Sequence, residues 1–263
     1  MSLLIQDVEL DGQTTQIYIE GNRIVELGKK READVVVEGK GKIALPGLVN
    51  LHTHSPMVLF RGFGDDLVLQ EWLETKVWPL EAKLKPEDIY LGARLACLEM
   101  IKTGTTTFLD MYFHMDQVAR AVREMGLRAF LAEGVIDLGI PSRAEDQFRA
   151  ADEANRKIEA LRSSRITPVL GPHAIYTVSE ASLLRFREMA DKKGYRLHTH
   201  ISETRREVDD CVAQHGMRPA AYLDKLGFLA KDVVVAHGCW LDPAEIEILA
   251  RTGTKVAHCP TSN

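Results

Sequence analysis

Pro46-Gly47-Leu48-Val49-Asn50-Leu51-His52-Thr53-His54 is a short apolar run, opened by a Pro-Gly turn, that ends in two histidines one residue apart. On a strand, alternate side chains point the same way, so both imidazoles can reach one ion. An H-x-H pair alone is a weak motif. Its place at the end of an apolar strand strengthens it, because two packed imidazoles without partners would be costly buried polar groups.

The same grammar continues from Ile43 onward. Short apolar strands are expected over 48–52, 105–110, 128–133, 167–173, 196–200, 233–237 and 255–258. Amphipathic helices are expected over 86–103, 117–125, 144–161, 179–193 and 243–251. Glu180 and Glu245 fall in first turns, where a carboxylate suits the positive end of the helix dipole. Repeated β-then-α units imply a parallel sheet. Seven strands fit a (β/α)8 TIM-type barrel lacking its eighth, since seven leave an open edge on a buried sheet. Upstream, residues 3–41 read as short β-segments, with runs at 14–19, 23–27 and 34–37 rich in β-branched residues. The expected organisation is a small β-sandwich domain over 1–45, its C-terminal half missing, and a metal-dependent barrel over 46–263.

Composition narrows the partners. A net charge of -5 argues against a nucleic acid, which would want a basic face. Cys97, Cys211, Cys239 and Cys259 are scattered without a C-x-x-C pair, so a reducing compartment is expected. The N-terminal apolar run is too short for a signal peptide, and no stretch approaches the ~20 apolar residues of a membrane span. The expectation is a cytoplasmic protein with a small-molecule partner and neither nucleic acid nor membrane, a homo-oligomer being left open.

Polar, metal-capable residues gather at the C-terminal ends of the expected strands: His52, His54, Asp110, Glu133, His173, His198, His200, His237 and His258. Barrel enzymes build their active sites on that face. His198-Thr199-His200-Ile201-Ser202-Glu203 supplies a second H-x-H, one member of which can join His52 and His54 while the other packs or supports a ligand. Glu203 lies just past its strand, where a carboxylate can shuttle a proton. His237 can ligate or polarise, or support a ligand. His258 carries a weaker signal, and His114 and His215 are expected to be non-functional. A divalent ion held by neutral imidazoles makes water acidic near pH 7, so the set fits metal-assisted hydrolysis, with zinc favoured and iron(II) the alternative.

Together the segments 46–54, 198–203, His237-Gly238 and 258–263 resemble the amidohydrolase superfamily. Glu71-Trp72-Leu73, Trp78-Pro79-Leu80-Glu81 and Gly171-Pro172-His173 resemble its 5-methylthioadenosine/S-adenosylhomocysteine deaminase group. The resemblance implies deamination of the adenine ring in 5′-substituted or 5′-deoxy adenosines. It implies His52, His54 and His200 as metal ligands, Glu203 as proton shuttle and His237 as the group that orients the attacking water. It places Trp72 against the substrate, Glu81 and His173 on the ribose hydroxyls, and Arg143 near the 5′-substituent. It also implies a fourth ligand, an aspartate on the eighth strand, beyond Asn263. Relatives that use S-adenosylhomocysteine resemble one another in an arginine just before the glycine of Glu133-Gly134. A glutamate facing the substrate there would repel a carboxylate by about 1 kcal/mol or more, so weak use of that substrate is expected.

Two other functions compete. One is a related hydrolase acting on a triazine, guanine or cytosine-type ring, which would not need Glu81 and His173. The other is a non-catalytic scaffold, which the intact His52, His54, His200 and Glu203 oppose.

Overall fold

The computed structural model describes residues 1–64 and 66–263, which form two compact units, Met1–Gly47 and Leu48–Asn263. The first unit holds β1 (Ser2–Leu10), β2 (Gln13–Glu20), β3 (Arg23–Leu27) and β4 (Val35–Glu38). They form one sheet in the order β3-β2-β1-β4, with β1 parallel to β4 and the other pairs antiparallel. Asp11 and Gly12, both at positive φ, make the two-residue β1–β2 turn that an Asp-Gly pair favours. Leu4, Val8, Ile17 and Tyr18 are its buried apolar residues. Within these residues the unit is a single four-stranded sheet.

The second unit alternates strand and helix. Its strands are β5 (Leu48–Thr53), β6 (Thr105–Tyr112), β7 (Arg128–Val135), β8 (Ile166–Pro172), β9 (Leu197–Ile201), β10 (Val233–His237) and β11 (Lys255–Ala257). They pair in chain order, every neighbour parallel, with β5 and β11 at the two edges. This is the seven-stranded near-barrel of the expected (β/α)8 class. β7 to β10 are almost wholly buried, as strands covered on both faces must be.

The helices obey local rules. Ser179, Thr204 and Asp242 each cap a helix by accepting a backbone N–H three residues on. Gly126, Gly194, Gly216 and Gly253 end helices at positive φ, where a Cβ would be strained. Phe148, Phe186, Phe228 and Leu183 anchor the larger apolar cluster beneath β8 to β10. Each strand thus enters the C-terminal face from a rigid, close-packed base, which fixes the direction of the side chains it delivers there. Among the described residues no helix is long and apolar enough to cross a membrane.

Candidate active site

The strand ends bring six imidazoles together. His52 is the penultimate residue of β5 and His54 follows the strand; His198 and His200 lie on β9; His237 closes β10; His173 follows β8. The hydrogen bonds fix which nitrogen of each ring is bare. His54 Nδ1 lies 2.5 Å from the Met111 carbonyl oxygen, and His200 Nδ1 lies 2.7 Å from that of His173. A carbonyl only accepts, so both Nδ1 atoms carry protons and both Nε2 atoms present lone pairs. Those two Nε2 atoms face one another at 3.3 Å. His198 donates from Nδ1 to the Val234 carbonyl at 2.9 Å, and its Nε2 then accepts from His52 Nδ1 at 2.8 Å. His52 Nε2 is left bare by the same chain.

Ligand atoms of His52, His54 and His200 lie within 4.8 Å of one another. Lone pairs that converge in a buried pocket repel unless a cation stands among them. The donor set therefore fits a divalent ion with a taste for nitrogen. Burial, together with the neighbouring imidazoles, holds His52 and His200 well below the ordinary histidine range, and burial lowers His54. Burial likewise lowers His173 to about 3 and His198 to about 4. The neutral ring is the form that binds metal.

Glu203 stands just beyond β9 with its side chain 16% exposed and, among the described residues, no lysine or arginine paired with it, and burial pushes its carboxyl up to about 7. Its Oε1 lies 3.6 Å from His237 Nε2. His237 holds φ +74, a strained backbone for a non-glycine residue, and its Nδ1 lies 3.1 Å from Asn263 Oδ1. An acid tuned near neutrality beside a fixed imidazole can both take up and release a proton.

A cavity of about 1680 Å3 opens over this face, lined by the three clustered histidines, Glu203, His237, Trp72, Glu81, Arg143 and His173. Tyr112 donates its hydroxyl to Glu81 Oε1 at 2.6 Å, and burial raises that carboxyl above its usual range. His173 Nδ1 sits 2.8 Å from Thr177 Oγ1, which keeps its ring turned toward the pocket. Trp72 Nε1 reaches the Phe63 carbonyl at 3.3 Å. Arg143 is exposed on the rim and makes no ion pair among the described residues.

One expected site residue is not brought here. Glu133 is 8% exposed, and its two carboxylate oxygens accept the N–H groups of His114 and Met115 at 2.9 and 2.8 Å. It caps the helix Met115–Met125 and does not line the cavity, so the expectation of a substrate-facing glutamate is corrected. His258, by contrast with the buried imidazoles, is exposed, with Nδ1 3.2 Å from the His237 carbonyl. Tyr112 was not expected; its signal is its place two residues beyond the strand-end Asp110. His215, read as non-functional, stacks on Tyr222 with centroids 3.9 Å apart and lines the outer cavity.

The profile of the amidohydrolase family matches residues 43–263. The chain is 48% identical to a 5-methylthioadenosine/S-adenosylhomocysteine deaminase of Thermococcus kodakarensis, covering 100% of this chain and 64% of that protein. It is 47% identical to a 5′-deoxyadenosine deaminase of Methanoregula boonei, covering 100% of this chain and 61% of that one. A solved adenosine deaminase from Xanthomonas campestris with bound zinc superposes with a TM-score of 0.92 at 34% identity, over 99% of this chain and 63% of the other. The chain thus spans less than two thirds of the length of each.

Proposed function

Because the chain belongs to the amidohydrolase family, we propose that its complete gene product deaminates the adenine ring of 5′-deoxy and 5′-substituted adenosines by hydrolysis. The observation that carries this reading is the pairing, across one cavity, of three converged imidazoles with the half-buried carboxyl of Glu203. The names of the two relatives support the substrate class, and the zinc in the Xanthomonas enzyme supports zinc as the ion.

His52, His54 and His200 would hold that ion. Once bound it supplies Lewis acidity that makes water a nucleophile near neutral pH. Glu203 begins as a carboxylate, accepts one proton of the attacking water as its oxygen bonds to the ring carbon, and delivers that proton to the adjacent ring nitrogen; the carbon–amine bond then breaks and the second water proton leaves with the amine as ammonia. His237, 3.6 Å from Glu203, orients that water. Trp72 stacks against the base, and Glu81 and His173 take the ribose hydroxyls. Arg143 faces the 5′-group from the rim.

With Glu133 turned away from the cavity, the ground for discrimination against S-adenosylhomocysteine is gone. Glu133→Ala is expected to lower stability in urea unfolding by about 1–2 kcal/mol, as the loss of a helix cap does. The ratio of kcat/KM between 5′-deoxyadenosine and S-adenosylhomocysteine should move less than about threefold, an effect under ~1 kcal/mol. A larger change in that ratio would return Glu133 to the substrate.

The direct test adds 5′-deoxyadenosine to the zinc-loaded gene product and follows the ultraviolet change from adenine to hypoxanthine. Turnover is expected, and Glu81→Gln should cut kcat/KM by about 10–100-fold, the worth of a hydrogen bond to a charged group. No turnover with full zinc, or an unaffected Glu81→Gln variant, would favour a free-base or triazine substrate.

A further inference from the structure

Glu207 is a carboxylate with an unusual assignment. It is 4% exposed, burial is the main cause that raises its pKa, and it forms no ion pair among the described residues. The two arginines that open its own helix, Arg205 and Arg206, pair instead with Asp209 and Asp210. A buried carboxylate without a cation is expensive unless hydrogen bonds replace its water. The bonds that do so run backward along the chain. One oxygen accepts the Ser202 N–H at 2.8 Å, and the other accepts the Glu203 N–H at 2.9 Å.

In a capping box the glutamate at this helix position returns to the N–H of the capping residue, here Thr204. Glu207 reaches one and two residues further upstream. The peptide it grips needs holding. Ser202 is fully buried at φ +48, a left-handed conformation that costs a non-glycine residue about 1–2 kcal/mol. Its own hydroxyl has no partner among the described residues and does not brace the turn. The bracing comes from the Glu207 carboxylate on one side, and on the other from the Trp240 N–H, which donates to the Ser202 carbonyl at 3.0 Å. Fixing the N–H on both sides of the Ser202 Cα–C unit fixes the direction in which the Glu203 side chain leaves the backbone.

We propose that Glu207 is the positioning residue for Glu203. Its carboxylate holds the left-handed turn after β9 so that the proton-carrying carboxyl faces the cavity. The proposal rests on the reading of Glu203 as proton carrier. A pure stability role, the capping of one helix, is the reading to be excluded.

The test uses the zinc-loaded complete gene product. Glu207→Gln keeps the size of the side chain but offers an amide NH2 to one of the two N–H donors. It is expected to lower kcat about 10–50-fold with KM within about threefold and zinc content unchanged, in line with the sensitivity of proton transfer to small misplacements. Glu207→Asp, which withdraws the carboxylate by one methylene, should fall between the two and serves if the glutamine variant does not fold. The double variant Glu203→Gln/Glu207→Gln should be no slower than Glu203→Gln alone, because a residue acting through another adds nothing once that other is gone. A lower melting temperature with kcat within twofold of the parent would overturn the proposal, as would losses that multiply in the double variant. If instead Glu203→Gln by itself leaves kcat intact, it is the reading of Glu203 that fails.

Discussion

Glu203→Gln is expected to reduce kcat by about 10²–10⁴-fold, the usual worth of a positioned general acid–base, while the protein keeps its zinc and its KM changes little. The amide preserves the volume of the side chain but cannot take a proton from water. Glu203 is not among the residues whose ligand atoms converge, so the metal site should survive the change. The pH dependence gives a second readout. A proton acceptor must start ionised, so kcat/KM of the parent should rise with pH as this group deprotonates. Burial pushes that carboxyl up to about 7. A cation bound nearby favours the carboxylate and draws that value down, so the rising limb should lie at or below pH 7. Whatever activity the glutamine variant retains should lack the limb. A loss of less than tenfold in a fully metal-loaded variant would remove Glu203 from the role of proton carrier.

What made this site legible was a coincidence of two local patterns, strand ends and histidines. His52, His54 and His200 needed only the two-residue period of a strand and the placement of function at the C-terminal face. Strand ends were off by a residue or two, as where β7 runs to Val135 past the expected 133. That scarcely matters to where a side chain points. Features that depend on distant partners were not legible. Glu133 looks like a cavity residue because it sits at a strand end. Its role is set by the helix start at His114 and Met115, which only the folded register lays across it. The proton chain from Val234 through His198 to His52 joins residues 146 apart at its last link. Glu207 is a different case, since Thr204-x-x-Glu207 is a recognisable helix-start signature in the sequence itself. What the signature could not disclose is that the carboxylate bypasses Thr204 to hold Ser202 and Glu203. In the small unit, β1 escaped as a named strand because a bulge between Ile5 and Val8, with Asp7 at φ +55, breaks its alternation.

His200→Ala should abolish stoichiometric zinc binding, because it removes one of the three imidazoles whose ligand atoms converge. His54 Nε2 and His200 Nε2, each bare of a proton, stand 3.3 Å apart, so one cation can share both lone pairs. Zinc at a hundred times its dissociation constant should stabilise the parent by about 2.7 kcal/mol. For a chain of this size that is a rise in melting temperature of roughly 5–10 °C. In His200→Ala the same zinc should raise it by no more than about 1 °C, since two imidazoles make a far weaker site. The measurement is a pair of thermal scans, with zinc and with a chelator, on parent and variant. Equal zinc responses in both would mean that His200 is not a ligand.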